Sequence, residues 1–404
     1  MRVLCTAGAG RGLSSQVPVV LDEVSRVIDR VPELASLFQR ALAPGSPAHR
    51  DGRTRLVLCG SAFGAMRRLL DGPAALRGRA GLELVLEPFD FRMAAGFWGL
   101  ASKPRAAFEL HAIVGGTPAY VELAQDDRPS DGDVDAWAVR RLLDPSSALF
   151  REGRIVVTED ASLGDRQMYW GLLSAIADGH RRWSEIETAL GGKRGSLKHA
   201  LDVAIDAGWV VRRDDPLRAQ RPLYELSEPI VRFQRLVVEA NSARLAARRR
   251  PEVVWNDARP DVAARIYGPH LETLALDWIH RFASPETVGG AADRVGSSRV
   301  AGKGNGDGMQ LDIAVTQRGP RSVSLLLAVG EVKATTSPMS ADQLDRLDSA
   351  VERLKLRPPQ GVVTDRAVRR LLVSRSGFTS DLARRAAQRT DVELIDLARL
   401  YNGQ

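Results

Sequence analysis

Two cysteines in 404 residues, Cys5 and Cys59, are too few and too far apart for a disulfide framework, and no CxxC or Cys/His spacing points to a structural zinc. A reducing, cytoplasmic location is the expectation. No apolar run approaches the about 20 residues that span a bilayer, and the amino terminus lacks the continuous apolar stretch of a secretory signal. No membrane partner is therefore expected. The phosphate-cradling pattern GxxxxGK[ST] occurs nowhere. The nearest stretch, Gly8-Ala9-Gly10-Arg11-Gly12-Leu13, lacks the Lys-Ser/Thr pair, so autonomous ATP hydrolysis is not expected.

What is present is globular in composition: 44% hydrophobic and 26% charged residues, with Lys plus Arg exceeding Asp plus Glu by 57 to 50. The length suits two or three domains, and the net charge of +7 tilts the chain mildly towards anionic partners. The first segment alternates apolar strands with helical stretches, as an α/β sheet does. Strands are predicted at 17–21, 55–61 and 82–86, and a helical pattern runs from 91 to about 150. From 166 to 227, three helix-sized patterns precede two short strands around an Arg/Asp/Pro-rich turn, the order of a winged helix. Residues 228–260, with Arg248-Arg249-Arg250-Pro251, read as a connector. From 261 to 404 the order is helix, Gly-rich loop, two strands, helix, strand, helix, strand, which predicts a further α/β domain.

Several constellations could carry chemistry. Val17-Pro18-Val19-Val20-Leu21 followed by Asp22-Glu23 has the form of a Walker B strand, where an Asp sits near Mg²⁺ and a Glu polarises water. Acidic strand ends also cap helices, so the pattern alone decides nothing. Ser61 closes the second strand where a polar γ-phosphate sensor is expected, and Arg79 follows where a basic residue could meet phosphates. In the winged-helix segment, Arg194 and Lys198 begin the candidate recognition helix, and Arg212 and Arg213 populate the wing. Such cations would neutralise DNA phosphates, or simply form a solvated face.

The sharpest pattern lies near the carboxyl end. Asp312 sits within a predicted strand, and the next strand carries Glu331-Val332-Lys333. Residues two apart on a strand share a face, so Glu331 and Lys333 point the same way, and a hairpin brings Asp312 to them. Asp312 and Glu331 could then chelate Mg²⁺ or Mn²⁺ while Lys333 orients the attacking water, with Glu272 on the preceding helix completing the shell. The bland alternative is a cross-strand Glu–Lys ion pair beside an unrelated Asp.

These residues, with Leu56 to Ser61, Leu76 to Arg79, Gly115-Gly116-Thr117-Pro118-Ala119-Tyr120, Tyr224 to Pro229, Gly268 to Glu272 and Ser374 to Phe378, occur in an order that resembles the archaeal-type AAA-related ATPases, also found in actinobacteria. Their carboxyl-terminal domain is related to the PD-(D/E)XK nucleases. The resemblance implies an α/β multidomain chain: a partial P-loop-type ATPase sheet (1–99), a helical lid (100–165), a winged helix (166–227), the connector (228–260) and a restriction-endonuclease-like α/β domain (261–404). It also implies that Gly116 and Pro118 help read a nucleotide. The family's P-loop strand lies upstream of Walker B, so the resemblance implies a truncated ATPase half. The expected function is a DNA-associated, Mg²⁺-dependent nuclease of the ATPase family. The alternative is a non-catalytic DNA-binding regulator or mobile-element accessory protein. DNA is the expected partner, with homo-oligomerisation left open.

Overall fold

The structure is a computed structural model that describes residues 17–31, 33–46, 54–60, 66, 69–70, 76–158, 165–192, 194–218, 221–247, 250–300, 308–320, 323–364 and 367–404. The chain divides into two compact units, residues 1–87, 160–165 and 198–209, and residues 88–159, 166–197 and 210–404.

In the first unit, β1 (Val17–Leu21) pairs in parallel with β2 (Thr54–Leu58), and α1 (Val24–Arg30) and α2 (Glu33–Ala41) lie between them in sequence. Parallel pairing demands a crossover, which the two helices supply. Val24, Phe38, Leu69 and Leu76 form its small core. The strand expected at 82–86 is corrected: the segment is irregular, with Leu82, Leu84 and Leu86 80%, 72% and 83% exposed. Its apolar alternation suits a strand, but a strand needs a hydrogen-bonding neighbour, and among the described residues none pairs with it.

The second unit begins with helices α3 (Phe91–Phe97), α4 (Pro104–Val114), α5 (Ala119–Leu123), α6 (Val134–Leu142) and α7 (Leu149–Thr158). Asp90 accepts from the Arg92 and Met93 amides and starts α3, and Pro104 opens α4, where its missing N–H costs nothing. Then follow α8 (Arg166–Ala177), α9 (Trp183–Ala189), α10 (Arg194–Asp206, which continues into the first unit) and the antiparallel hairpin β3 (Val210–Arg213) and β4 (Leu223–Leu226). The expected connector is instead largely helical, including α11 (Pro229–Phe233) and α12 (Pro251–Asp261). Phe233, Val254 and Trp255 are buried there, and Pro251 opens a helix.

The carboxyl-terminal sheet has the order β10-β9-β7-β6-β5, with β8 (Val362–Val363) added to β7. Helix α13 (Gly268–Arg281) precedes the antiparallel meander β5 (Arg294–Val300), β6 (Met309–Arg318) and β7 (Ser324–Lys333). Helix α14 (Asp342–Leu356) leads to β9 (Arg369–Ser374), parallel to β7, and α15 (Ser380–Ala387) leads to β10 (Val392–Asp396), parallel to β9. Helix α16 (Leu397–Asn402) closes the chain's helices. The expected Gly-rich loop thus contains β5, whose Arg, Gly and Ser content hid an edge strand.

Residues 311 to 316 of β6 are buried without alternation, because apolar clusters cover both faces of the sheet. One cluster, including Leu311, Val329, Leu344 and Val351, joins the sheet to α14. The other runs from Phe91 and Phe108 through Phe233 and Trp255 to Trp278, Val315 and Tyr401, so the amino-terminal helices of this unit and its sheet share one core. His111 Nδ1 and His270 Nε2, 2.9 Å apart, tie α4 to α13 inside it. Among the described residues no helix is long and apolar enough to cross a membrane.

Candidate active site

Hydrogen-bond register places the central carboxylates. Ile313 pairs with Gly330 at the end of the β6–β7 ladder, and Asp312 and Glu331 are the next residues beyond that pair on their strands. Gly330 allows this closeness: a Cβ there would stand 2.5 Å from the Leu371 carbonyl oxygen and 2.9 Å from Ile313 Cδ1. The Val332 amide donates to Asp312 Oδ2 at 2.9 Å, so the carboxylate of one strand is fixed by the backbone of the next. Lys333 Nζ donates to Glu331 Oε1 at 2.5 Å, and Arg346 Nη1, from α14, reaches the same oxygen at 3.4 Å.

Asp312 is 8% exposed and Glu331 4%. Burial, then the charges of Glu272 and Glu331, push the Asp312 carboxyl up to about 7, against the opposing pull of the Val332 amide and Lys333. The negative charges of Glu272 and Glu331 therefore disfavour ionisation of Asp312. A hard divalent cation between Asp312 and Glu331 would relieve that repulsion. The two oxygen donors fit Mg²⁺, which commonly keeps several waters beside one or two carboxylates. Among the described residues no group of three or more His, Cys, Asp or Glu side chains is arranged to hold a metal, so the remaining positions would fall to water and substrate oxygens.

Glu272 sits on α13 beside the apolar stripe of Leu271, Leu274, Ala275 and Trp278, which buries the helix and leaves Glu272 partly open. Arg181 binds it at 3.1 Å and also bonds to the buried Glu225 on β4. Glu225 is shared with Arg213, whose Nε stands 2.7 Å from Oε2 and whose Nη2 meets Asp277 at 3.0 Å. This cross-chain network of Arg181, Arg213, Glu225 and Asp277 was not legible in the sequence, since its members are tens of residues apart and follow no period.

The candidate DNA contacts fare differently from one another. Arg212 is half exposed and pairs with Asp214 at 3.1 Å, an arrangement that phosphate could displace. Arg213, expected to point outward, is turned to Glu225 and Asp277. Replacing Arg213 with Ala is accordingly expected to lower unfolding stability by about 2 kcal/mol while leaving DNA affinity nearly unchanged; urea melts and polarisation titrations of the same preparation check this. Lys198 is exposed, and Arg194 opens α10.

Of the expected nucleotide residues, Asp22 is exposed after β1, and its Oδ1 accepts from the Glu23 amide at 2.9 Å. Glu23 takes a left-handed conformation, φ 49°, at the start of α1. Ser61 lies outside the described residues, and Arg79 is exposed. Gly116 is packed against Phe89, whose amide donates to its carbonyl at 2.9 Å, and Pro118 is exposed at the start of α5. Asp22, Glu23 and Arg79 belong to the first unit, Gly116 and Pro118 to the second.

Near Gly116, Glu228 accepts from Thr117 Oγ1 at 3.4 Å. Burial, with the charge of Glu152, pushes its carboxyl up to about 7 despite that hydrogen bond. A carboxyl raised on folding contributes its full stability below its unfolded value of about 4.5 and loses it as pH rises through 7. Glu228→Gln should therefore match the wild type at pH 4.5 and exceed it by about 2 kcal/mol above pH 8, a difference read by urea melts at the two pH values.

No protein-family model matches the chain, and no curated protein matches it significantly. Among solved structures, a Walker-type ATPase of Pyrococcus abyssi is similar over 58% of this chain and 66% of its own, at 22% sequence identity and a TM-score of 0.44.

Proposed function

We propose that the second unit carries a divalent-metal-dependent phosphodiesterase site acting on DNA, in a chain whose ATPase-like half does not hydrolyse ATP by itself. One observation carries the reading: Asp312 accepts from the Val332 amide, next in sequence to Glu331, and Lys333 donates to the Glu331 carboxylate, while the charges of Glu272 and Glu331 help burial raise the Asp312 pKa. The surrounding order of helix, three-stranded meander, helix and parallel strands supports a restriction-endonuclease-like domain.

A divalent cation would supply charge neutralisation of the phosphate and a lowered pKa for a bound water. The chain's own residues do the rest. Asp312 and Glu331 would hold the cation. Lys333, two residues beyond Glu331 on the same face, would orient the attacking water by donating from its ammonium, while the water's proton leaves to bulk solvent. Glu272 adds to the burial that raises the Asp312 pKa and is itself paired with Arg181. The α8–α9–α10–β3–β4 order supports a winged helix, with Arg212 of the wing as a DNA contact.

A second reading has its own observation. Glu331 is paired with Lys333 and Arg346, and Glu272 with Arg181, so these acids also suit a structural ion-pair network in a non-catalytic DNA-binding regulator. Incubation of supercoiled plasmid with the protein in Mn²⁺ or Mg²⁺ separates the two. Nicking that chelator abolishes supports the enzyme; DNA binding indifferent to metal, without nicking, supports the regulator.

A further inference from the structure

Glu331 Oε1 is shared by two cations that hold it unequally. Lys333 Nζ donates to it at 2.5 Å, whereas Arg346 Nη1 reaches it only at 3.4 Å, beyond the usual N–H···O range. The Glu331 side chain is buried, while that of Arg346 is 47% exposed, so the arginine lies on the solvent side of the acid. Helix α14 explains this position. Leu344, Leu347 and Val351 bury its apolar face, and Gln343, one turn before Arg346, accepts from the same Nη1 at 3.1 Å. Asp345, the neighbouring acid in the chain, is taken by Arg385. Among the described residues no hydrogen bond engages Arg346 Nε or Nη2. A loosely held guanidinium with donors to spare thus stands at the acid assigned to the cation.

We propose that Arg346 is an exchangeable cap on Glu331: a divalent cation displaces it from Oε1, and the freed guanidinium takes oxygens of the DNA phosphate at the site. The phosphate half rests on the phosphodiesterase reading; the competition needs only a divalent cation that binds Glu331. An oxygen that already accepts from two cations is a poorer metal donor, and the longer of the two contacts is the first to yield. The planar fork of a guanidinium matches a phosphate with two parallel hydrogen bonds. Metal and DNA then assist each other. The cation frees the arginine for phosphate, the phosphate keeps the arginine off the acid, and by linkage each raises the affinity of the other by the same factor.

Calorimetric Mn²⁺ titration of the DNA-free protein tests the first half. Arg346→Gln is expected to bind Mn²⁺ about fivefold more tightly than wild type, the upper end for a pair with an exposed partner. Arg346→Lys, which keeps the charge, should fall between them. Polarisation of a short labelled duplex across a KCl series, in Ca²⁺ and in EDTA, tests the second half, with the recovered duplex run on a gel to confirm that it is intact. In Ca²⁺, Arg346→Gln should lose about tenfold in affinity and reduce the slope of log affinity against log salt by about 1. In EDTA, where Arg346 stays on Glu331, the two proteins should bind alike. A merely structural arginine would lower the melting temperature and leave Mn²⁺ affinity unchanged. Unchanged or weaker Mn²⁺ binding by Arg346→Gln overturns the cap, as does a wild type that binds no Mn²⁺. Tighter Mn²⁺ binding with an equal salt slope in Ca²⁺ overturns the transfer to phosphate, and so does a loss of DNA affinity that is the same in EDTA. The underlying reading fails separately: a protein that shows both effects yet never nicks plasmid in Mn²⁺ keeps the exchange and loses the nuclease, whereas nicking with unchanged Mn²⁺ affinity in Arg346→Gln does the reverse.

Discussion

Lys333→Ala is expected to slow plasmid nicking by about 10²-fold, the scale for misplacing a reacting group, while DNA binding in EDTA stays within about twofold of wild type. Lys333 is a third exposed and pairs with Glu331, which keeps Arg346 as a second cation at 3.4 Å. Loss of the ammonium therefore leaves no isolated buried charge, and the fold should persist. Lys333→Arg should restore the rate only in part, because a broad planar guanidinium does not place its donors where the compact ammonium does. A single-turnover assay at saturating protein reads the chemical step apart from binding. Equal rates for wild type and Lys333→Ala would remove Lys333 from the mechanism.

The largest stability loss is expected from the smallest change, Gly116→Ala. A methyl at residue 116 would stand 1.8 Å from the Phe89 carbonyl oxygen and 2.9 Å from its nitrogen, both backbone atoms. No rotamer relieves a clash with backbone, and moving the Phe89 strand of chain breaks the Phe89–Gly116 hydrogen bond and disturbs the Asp90 cap that begins α3. The expected cost is about 3 kcal/mol or more, measured as a shift in the urea midpoint. The same result bears on the Gly-Gly-Thr-Pro motif: its second glycine is required by the packing of the second unit whether or not a nucleotide binds. Wild-type stability in Gly116→Ala would contradict this packing.

The Glu331–Lys333 pairing was legible in local periodicity. Glu-x-Lys falls on one face of a strand by the two-residue period, and Lys333 donates to Glu331. Arg346 and Arg181 were not legible, because α14 and α9's preceding turn are brought in by tertiary packing rather than spacing. The same distinction explains the fold. Strands β6, β7 and β9 contain the apolar runs Ile313-Ala314-Val315, Leu325 to Val329 and Leu371-Leu372-Val373 and announce themselves, whereas β5 is polar and held by its ladder to β6. Leu82 to Leu86 shows the converse: an apolar pattern suitable for a strand, which remains irregular without a paired neighbour among the described residues. Arg213 illustrates the limit of reading charge as a surface property, since a buried acid on the facing strand, Glu225, captures it.

The central claim is that Asp312 and Glu331 form a cation-dependent phosphodiesterase centre. Its most direct test is nicking of supercoiled plasmid by wild type and Asp312→Asn, purified identically, with Mn²⁺ and with EDTA. Asn keeps an oxygen to accept from the Val332 amide and removes a carboxylate crowded by two others, so the variant should be at least as stable as wild type. The account predicts nicking by the wild type in Mn²⁺ and none in EDTA or by Asp312→Asn; nicking of equal rate by both proteins, or a rate indifferent to EDTA, would contradict it.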